Sequence, residues 1–409
     1  MIDVEKIRRD FPMYRNCGMF EGKPLHYLDN AATSFKPYSV LTAMNHYYED
    51  ITANTNRGDY SLAHAADMAY QNARKTIADF IHADKDEVVF TSGDTMGMNF
   101  IAYGLMHLLK PGDEIILSFA EHASNVLPWF KVSELTKANI VYVPLTKDGK
   151  VTVENLAKVF TERTKIVSLA GVTNVLGYPL PIKELCALTH QHNAFFIEDG
   201  AQSVPHYKTD VKDSDVDFLV FSGHKMLGPT GIGVLYGKKE MLNQLEPFMM
   251  GGEMNARFHS DQSFTLKDVP DRFEAGTVNI AGAIGLAKAC EYLSNIGFDS
   301  IVEHEKRLKI LAVSGLMANG NCTVYNPEEE GGIVTFNVNG VFAQDAASYL
   351  GDKGVFVRSG NHCAKILPEF LNTDATIRAS FYLYNDEKDV DALVDASKHA
   401  EDFLDVFFN

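Results

Sequence analysis

Ala194-Phe195-Phe196-Ile197-Glu198-Asp199-Gly200-Ala201-Gln202, followed downstream by Phe221-Ser222-Gly223-His224-Lys225, decides the fold class of this chain. Residues 194–198 are apolar enough for a buried strand that delivers Asp199 at its C-terminal end. Residues 216–221 form a second such strand, which delivers Ser222, His224 and Lys225. In open α/β sheets ligands sit beyond the carboxyl ends of the strands, so neighbouring strands aim a carboxylate and an amine into one crevice. Pyridoxal phosphate needs that pair: the carboxylate keeps its ring nitrogen protonated, and the lysine holds its aldehyde as a Schiff base. A strand-end aspartate alone is usually a helix cap, and a lone lysine a surface amine. Flanked by Gln202, Ser222 and His224, they read as a cofactor site.

Outward from that core, 409 residues suffice for two domains with a sizeable buried interior. A formal charge of −17 argues against general nucleic-acid or anionic-membrane binding. The start, Met1-Ile2-Asp3-Val4-Glu5-Lys6, lacks the basic-then-apolar order of a signal peptide. No apolar run approaches the roughly 18 residues of a spanning helix. The cysteines Cys17, Cys186, Cys290, Cys322 and Cys363 are widely spaced and contain no C-x-x-C pair. That pattern suits a reducing cytoplasm and predicts no disulfide framework or metal site.

Short buried strands are expected at 88–90, 114–117, 140–143 and 166–169, separated by helical stretches such as 152–160 and 181–190. This is the pattern of a mostly parallel sheet covered by helices. A long helix near 282–293 links it to an α+β region, with strands at 332–338, 355–357 and 377–380 and helices at 343–350 and 387–408. The expected division is a large cofactor-binding domain, 25–281, and a small domain built from 1–24 and 282–409.

Further constellations gather at strand ends. Thr91-Ser92-Gly93-Asp94-Thr95 places a glycine turn and hydroxyls at a helix start, a ready phosphate cradle. His122 lies in a loop where an imidazole can stack on a pyridine ring, although a lone histidine is more often structural. Asn174 is placed to donate to the ring's phenolic oxygen. Arg378 offers a bidentate fork for a substrate carboxylate. Cys363, in Arg358-Ser359-Gly360-Asn361-His362-Cys363-Ala364, sits in a glycine–polar turn that reads as exposed, beside a histidine that favours thiolate character. The other four cysteines read as inert, Cys186 and Cys290 within apolar helical patterns.

The matching segments run nearly end to end: Tyr27 to Ala32, Arg57-Gly58, Glu121-His122, Asn174 to Gly177, Asp199 to Gln202, Ser222 to Lys225, Gly251 to Met254, Arg272 to Thr277, Arg358 to Ala364 and Arg378 to Ser380. In these the chain resembles the cysteine desulfurases of the class V aminotransferase family, pyridoxal-phosphate fold type I, in their group II or SUF-type branch. The resemblance implies that Lys225 carries the cofactor, Asp199 pairs with its ring nitrogen and His122 stacks on the ring. It implies phosphate contacts from Thr95, Ser222 and His224, and from Thr277 of a partner subunit in a homodimer. Gln202 and Asn174 meet the phenolic oxygen; Arg378, Asn174 and Ala31 bind L-cysteine; Cys363 accepts sulfur as a persulfide for iron–sulfur cluster assembly, with His122 moving protons. Selenocysteine lyase and other class V enzymes share most of these parts, and an idle assembly partner would not need them all.

The chain departs from the family pattern at four places. Asp94 stands where threonine is usual, Met96 where glutamate is frequent, Asn361 for the first histidine of Gly-His-His-Cys, and Asn56 before Arg57. A carboxylate beside phosphate is unfavourable unless it points away. The implied sulfur acceptor is a SufE-like thiol protein or a zinc-binding SufU-like scaffold. Gln344 stands where the latter branch places a zinc-liganding histidine, and an amide is a poor substitute, which favours the thiol type.

Overall fold

The computed structural model describes residues 2–15, 18–55 and 58–404. Its centre is a seven-stranded sheet in the order Val88–Thr91, Gly233–Gly237, Phe218–Ser222, Phe195–Asp199, Thr164–Ala170, Glu114–Ser118, Asn139–Val143. All pairs are parallel except those made by Gly233–Gly237, which runs antiparallel between its two neighbours. Most of these strands are buried along their whole length, as expected when helices cover both faces. The expected strands lie in place; Gly233–Gly237 is an addition. Its first glycine is required by close approach, since a Cβ at Gly233 would lie 2.5 Å from Gly93 Cα and 2.6 Å from Phe221 O. That contact presses the antiparallel strand against the glycine turn that opens the helix Asp94–Leu105.

A second, antiparallel sheet has the order Cys322–Val324, Ile333–Val338, Thr376–Ser380, Arg358–Gly360. Leu28, Leu308, Phe336, Leu350, Ile377 and Leu393 form its own apolar cluster. The linking helix is longer than expected, Ile280–Ile296, and a further helix, Phe298–Ala318, follows it. Gly297, at φ +87°, breaks the two apart. The expected helix 152–160 shrinks to Val153–Ala157, capped by Thr152. The helix expected over 387–408 ends at Lys398, where Asn321 Nδ2 satisfies the carbonyls of Ser397 and Lys398. Its last expected residues, Cys17, Asn56 and Arg57 lie outside the described residues.

Arg8, on the N-terminal helix Val4–Arg9, bonds Asp386 at 3.0 Å and Asp389 at 2.9 Å, fastening the N-terminus to the C-terminal helix. At the opposite edge, Arg74 reaches both oxygens of Glu274 at 2.7 and 2.8 Å, and Glu274 also accepts from Tyr70 Oη and Phe90 N–H, each at 2.8 Å. This buried, fully bonded carboxylate ties the segment leading to Thr277 onto the large sheet. Removing one partner leaves an uncompensated buried charge, so Glu274→Ala should lower the denaturant-unfolding free energy by about 3–5 kcal/mol. Breaking a surface pair such as Lys131–Glu134 should leave it nearly unchanged.

Candidate active site

The register across the large sheet brings the two decisive residues together. Asp199 is the strand partner of Val220, and Lys225 lies in the short turn Gly223–Lys225 directly after that strand. They share a cavity of about 210 Å³ with Ala31, Thr95, His122, Asn174, Gln202, Ser222, His224 and Arg378. Ten of the twelve residues expected in the site thus line one space. Cys363 stands exposed beside it rather than among its lining residues, with Sγ 3.8 Å from Arg358 Nη2. Thr277 is exposed and does not line the cavity.

Each lining group is held by its neighbours. His122 Nδ1 accepts the Ser124 N–H at 3.1 Å, which places the ring proton on Nε2. Ser124 Oγ in turn bonds Thr95 Oγ1 at 2.7 Å. Next to His122 in the chain, buried Glu121 accepts from Ser118 Oγ, Asn125 Nδ2 and Ala170 N–H at 2.6–2.9 Å, fixing the loop that carries both. Burial, with a smaller contribution from Asp199, still pushes Glu121 up to about 8. Burial, reinforced by the Lys225 charge, pushes His122 down to about 4 and leaves it neutral near pH 7. Burial also lowers Lys225, opposed by Asp199 and Asp94, which favours the nucleophilic amine.

Arg378, in the centre of Thr376–Ser380, donates to Asn174 O at 2.8 Å and to Asp29 Oδ1 at 3.3 Å. Burial draws it down to about 10, with Asp29 opposing. Arg358 is its direct partner on the adjacent strand and also lines the cavity. Sequence reasoning assigned Arg358 no role; only the strand pairing shows two guanidiniums at one mouth. The Cys363 loop is pinned at both sides. Asn174 Nδ2 donates to His362 O at 2.7 Å, and Ala123 N–H to Cys363 O at 2.8 Å. His362 and Cys363 both take positive φ, +51° and +58°, a strained conformation typical of functional loops.

Asn174 Nδ2 donates to His362 O at 2.7 Å and Gln202 Nε2 to Ala31 O at 2.8 Å, which leaves each amide a second N–H, and both amide oxygens are buried without partners. Asp94 Oδ1, His362 Nδ1 and Arg378 Nε, on residues lining the same cavity, are unpartnered too. Buried polar atoms ordinarily find partners, so this clustering marks a space shaped for a polar ligand. An acid, an amine, a hydroxyl-lined helix start and a neutral imidazole fit pyridoxal phosphate.

The pattern of the aminotransferase class-V family matches residues 26–393. The chain belongs to that family. It is 44% identical over 406 residues to a probable cysteine desulfurase of Halalkalibacterium halodurans, covering 98% of this chain and 99% of that protein. Among solved structures, the apo cysteine desulfurase of Thermococcus onnurineus superposes with a TM-score of 0.92 at 35% identity, covering 98% of each chain. The Escherichia coli cysteine desulfurase CsdA, in its S-sulfonic acid form, gives 0.90 at 35% identity, covering 98% of this chain and 99% of that one. The fold is therefore that of the class V pyridoxal-phosphate enzymes.

His122 supplies a pH test of the site. In the unfolded chain an imidazole titrates near 6.5, and in the folded one His122 titrates at about 4. Between these values the unfolded state binds more protons, so the contribution of His122 to stability is present above pH ~6.5 and lost as pH falls towards 4. Replacement by asparagine, which keeps an acceptor for Ser124 N–H, should flatten the fall in melting temperature of the cofactor-free protein across that window.

Proposed function

We propose that Cys363 is the sulfur acceptor of a pyridoxal-phosphate-dependent cysteine desulfurase, converting L-cysteine and the Cys363 thiol to L-alanine and a Cys363 persulfide. The carrying observation is that the Cys363 loop is pinned by its carbonyls to Asn174 and to the residue after His122, at the mouth of the Asp199–Lys225 cavity. Lys225 would hold the cofactor aldehyde, Asp199 its ring nitrogen, and Thr95, Ser222 and His224 its phosphate. When bound, the cofactor supplies an electron sink for the substrate carbon and makes its sulfur open to attack. The remaining work falls to the chain. Arg378 binds the substrate carboxylate, held in place by Asp29 and Asn174; Ala31 and Asn174 complete that pocket. His122, neutral and carrying its proton on Nε2, moves a proton between the thiols. Arg358 Nη2, 3.8 Å from Cys363 Sγ, holds the sulfur that attacks the substrate sulfur.

Several finer assignments belong to the same reading. The chain acts as a homodimer in which Thr277 reaches the partner's phosphate. Its exposure supports this, as do the exposed Phe258 and Phe264 on the hairpin Asn255–Phe258 and Phe264–Leu266. The large domain spans 25–281, and 1–24 joins 282–409, supported by the Arg8 contacts. The group II assignment rests on the short spacing between Arg358 and Cys363. The persulfide passes to a thiol acceptor of SufE type for cluster assembly in the cytoplasm. Gln344, exposed on the helix Ala343–Asp352, supports that choice over zinc exchange with a SufU-like scaffold. Among the described residues no helix is long and apolar enough to cross a membrane.

Lys225→Ala should abolish both the visible absorbance of the bound cofactor and alanine release; retention of both would remove the central assignment. Cys363→Ser should keep the absorbance and lose persulfide, detected by thiol labelling after L-cysteine addition. Sedimentation should give a dimer at working concentration; full specific activity from a monomer would exclude the shared site.

A further inference from the structure

Asp94 opens the helix Asp94–Leu105 with its N–H held by Ser222 Oγ at 2.8 Å. Its side chain is 6% exposed, lines the Asp199–Lys225 cavity and is hydrogen-bonded to the carboxyl of Asp199. Its Oδ1 is buried without a partner. Two carboxyl groups can share a hydrogen bond only when one carries a proton, because two anions in contact repel and neither can donate. The helix N-terminus and Lys225 both favour an ionised Asp94. Burial outweighs them, and Asp199 adds to it, so Asp94 lies well above the carboxylate range.

We propose that Asp94 is a positioning residue for the cofactor. It keeps the single proton of an Asp94–Asp199 pair and donates it to Asp199, so that Asp199 faces the cofactor's ring nitrogen as one oriented anion. It also brings no second negative charge to the cradle of Thr95, Ser222 and His224. This rests on pyridoxal phosphate being the cofactor, as the family and the cavity indicate. The carboxylate is thus compatible with a phosphate site because it is neutral and turned towards Asp199. The groups that face the pair are Lys225, from the turn after Phe218–Ser222, and His122 and His224. Burial lowers both histidines to about 4, so they stay neutral near pH 7. Lys225 is then the cation that faces both carboxyls.

The test uses the cofactor-free protein and needs no turnover. With aspartate 13C-labelled at its side-chain carboxyl, one resonance should remain protonated at pH 7 and be missing from Asp94→Asn. An Asp94 carboxyl found ionised at pH 7 overturns the proposal, whatever the variants do. Pyridoxal 5'-phosphate titrated into the Lys225→Ala protein isolates non-covalent binding. There Asp94→Asn, a neutral donor of the same shape, should bind within about threefold of its parent. Asp94→Ala, which removes the donor, should bind about tenfold more weakly. Equal weakening by Asn and Ala, or none by Ala, overturns the proposal. Failure of the unsubstituted chain to bind pyridoxal 5'-phosphate at all would instead refute the cofactor reading.

Discussion

Burial of opposite charges in a single crevice is the constraint on which the rest of this structure depends. Asp199, Lys225 and Arg378 are all taken from water into one crevice. An isolated charge placed there would neutralise or drive unfolding. Each is therefore compensated: Asp199 by the Ala201 N–H at 3.0 Å and by Asp94, Lys225 by the two aspartates, Arg378 by Asp29 and the Asn174 carbonyl. Compensation is incomplete. Asp94, Asn174, Gln202, His362 and Arg378 each retain an unpartnered buried atom, and this residue of unmet hydrogen bonding is what a polar ligand answers.

The same interactions join the two sheets. Arg378 projects from the C-terminal sheet yet bonds a loop of the large one, and Thr335 and Asn326 reach the carbonyls of Val175 and Leu176. Residues 28–31 stitch the interface further. The Asp29–Ser380 bridge, the Ala31 N–H to Ser380 Oγ and the Gln202 amide to Ala31 O run from one sheet to the other. Arg378, Asp199 and the Cys363 loop are thus set relative to one another by hydrogen bonds that also hold the halves together. A displacement of either half would misplace the chemistry and break those bonds together.

Electrostatics then assign the protonation states. Burial keeps His122, His224 and His362 neutral and raises Glu121 to about 8. His362 Nε2 faces the Thr376 carbonyl and must donate to it, leaving Nδ1 bare beside the cavity. A site of neutral imidazoles, acids raised by burial and one lysine of lowered basicity is ready for proton transfer near neutral pH. Arg358 and Arg378, paired across two strands, keep the mouth positive.

The strand–helix alternation, the strand ends at Asp199 and Ser222, and the candidate roles of Lys225, His122, Arg378 and Cys363 were legible in the sequence. Local composition encodes them: continuous apolar runs mark buried strands, and polar residues just beyond them mark the crevice. The strand Gly233–Gly237 and the helix Phe298–Ala318 escaped that reading. The first is framed by glycines required only by a neighbour's approach; the second begins after Gly297, a local break that does not reveal what lies beyond it. Also invisible were the pairing of Arg358 with Arg378, the bonds from the amide nitrogens of Asn174 and Gln202 to His362 O and Ala31 O, and the contact of Asp94 with Asp199. The sequence by itself determined which chemical groups stand at which strand ends. Only the tertiary structure decided which are neutral, which are charged and which way their donors face, because those properties depend on burial and partners brought from distant parts of the chain.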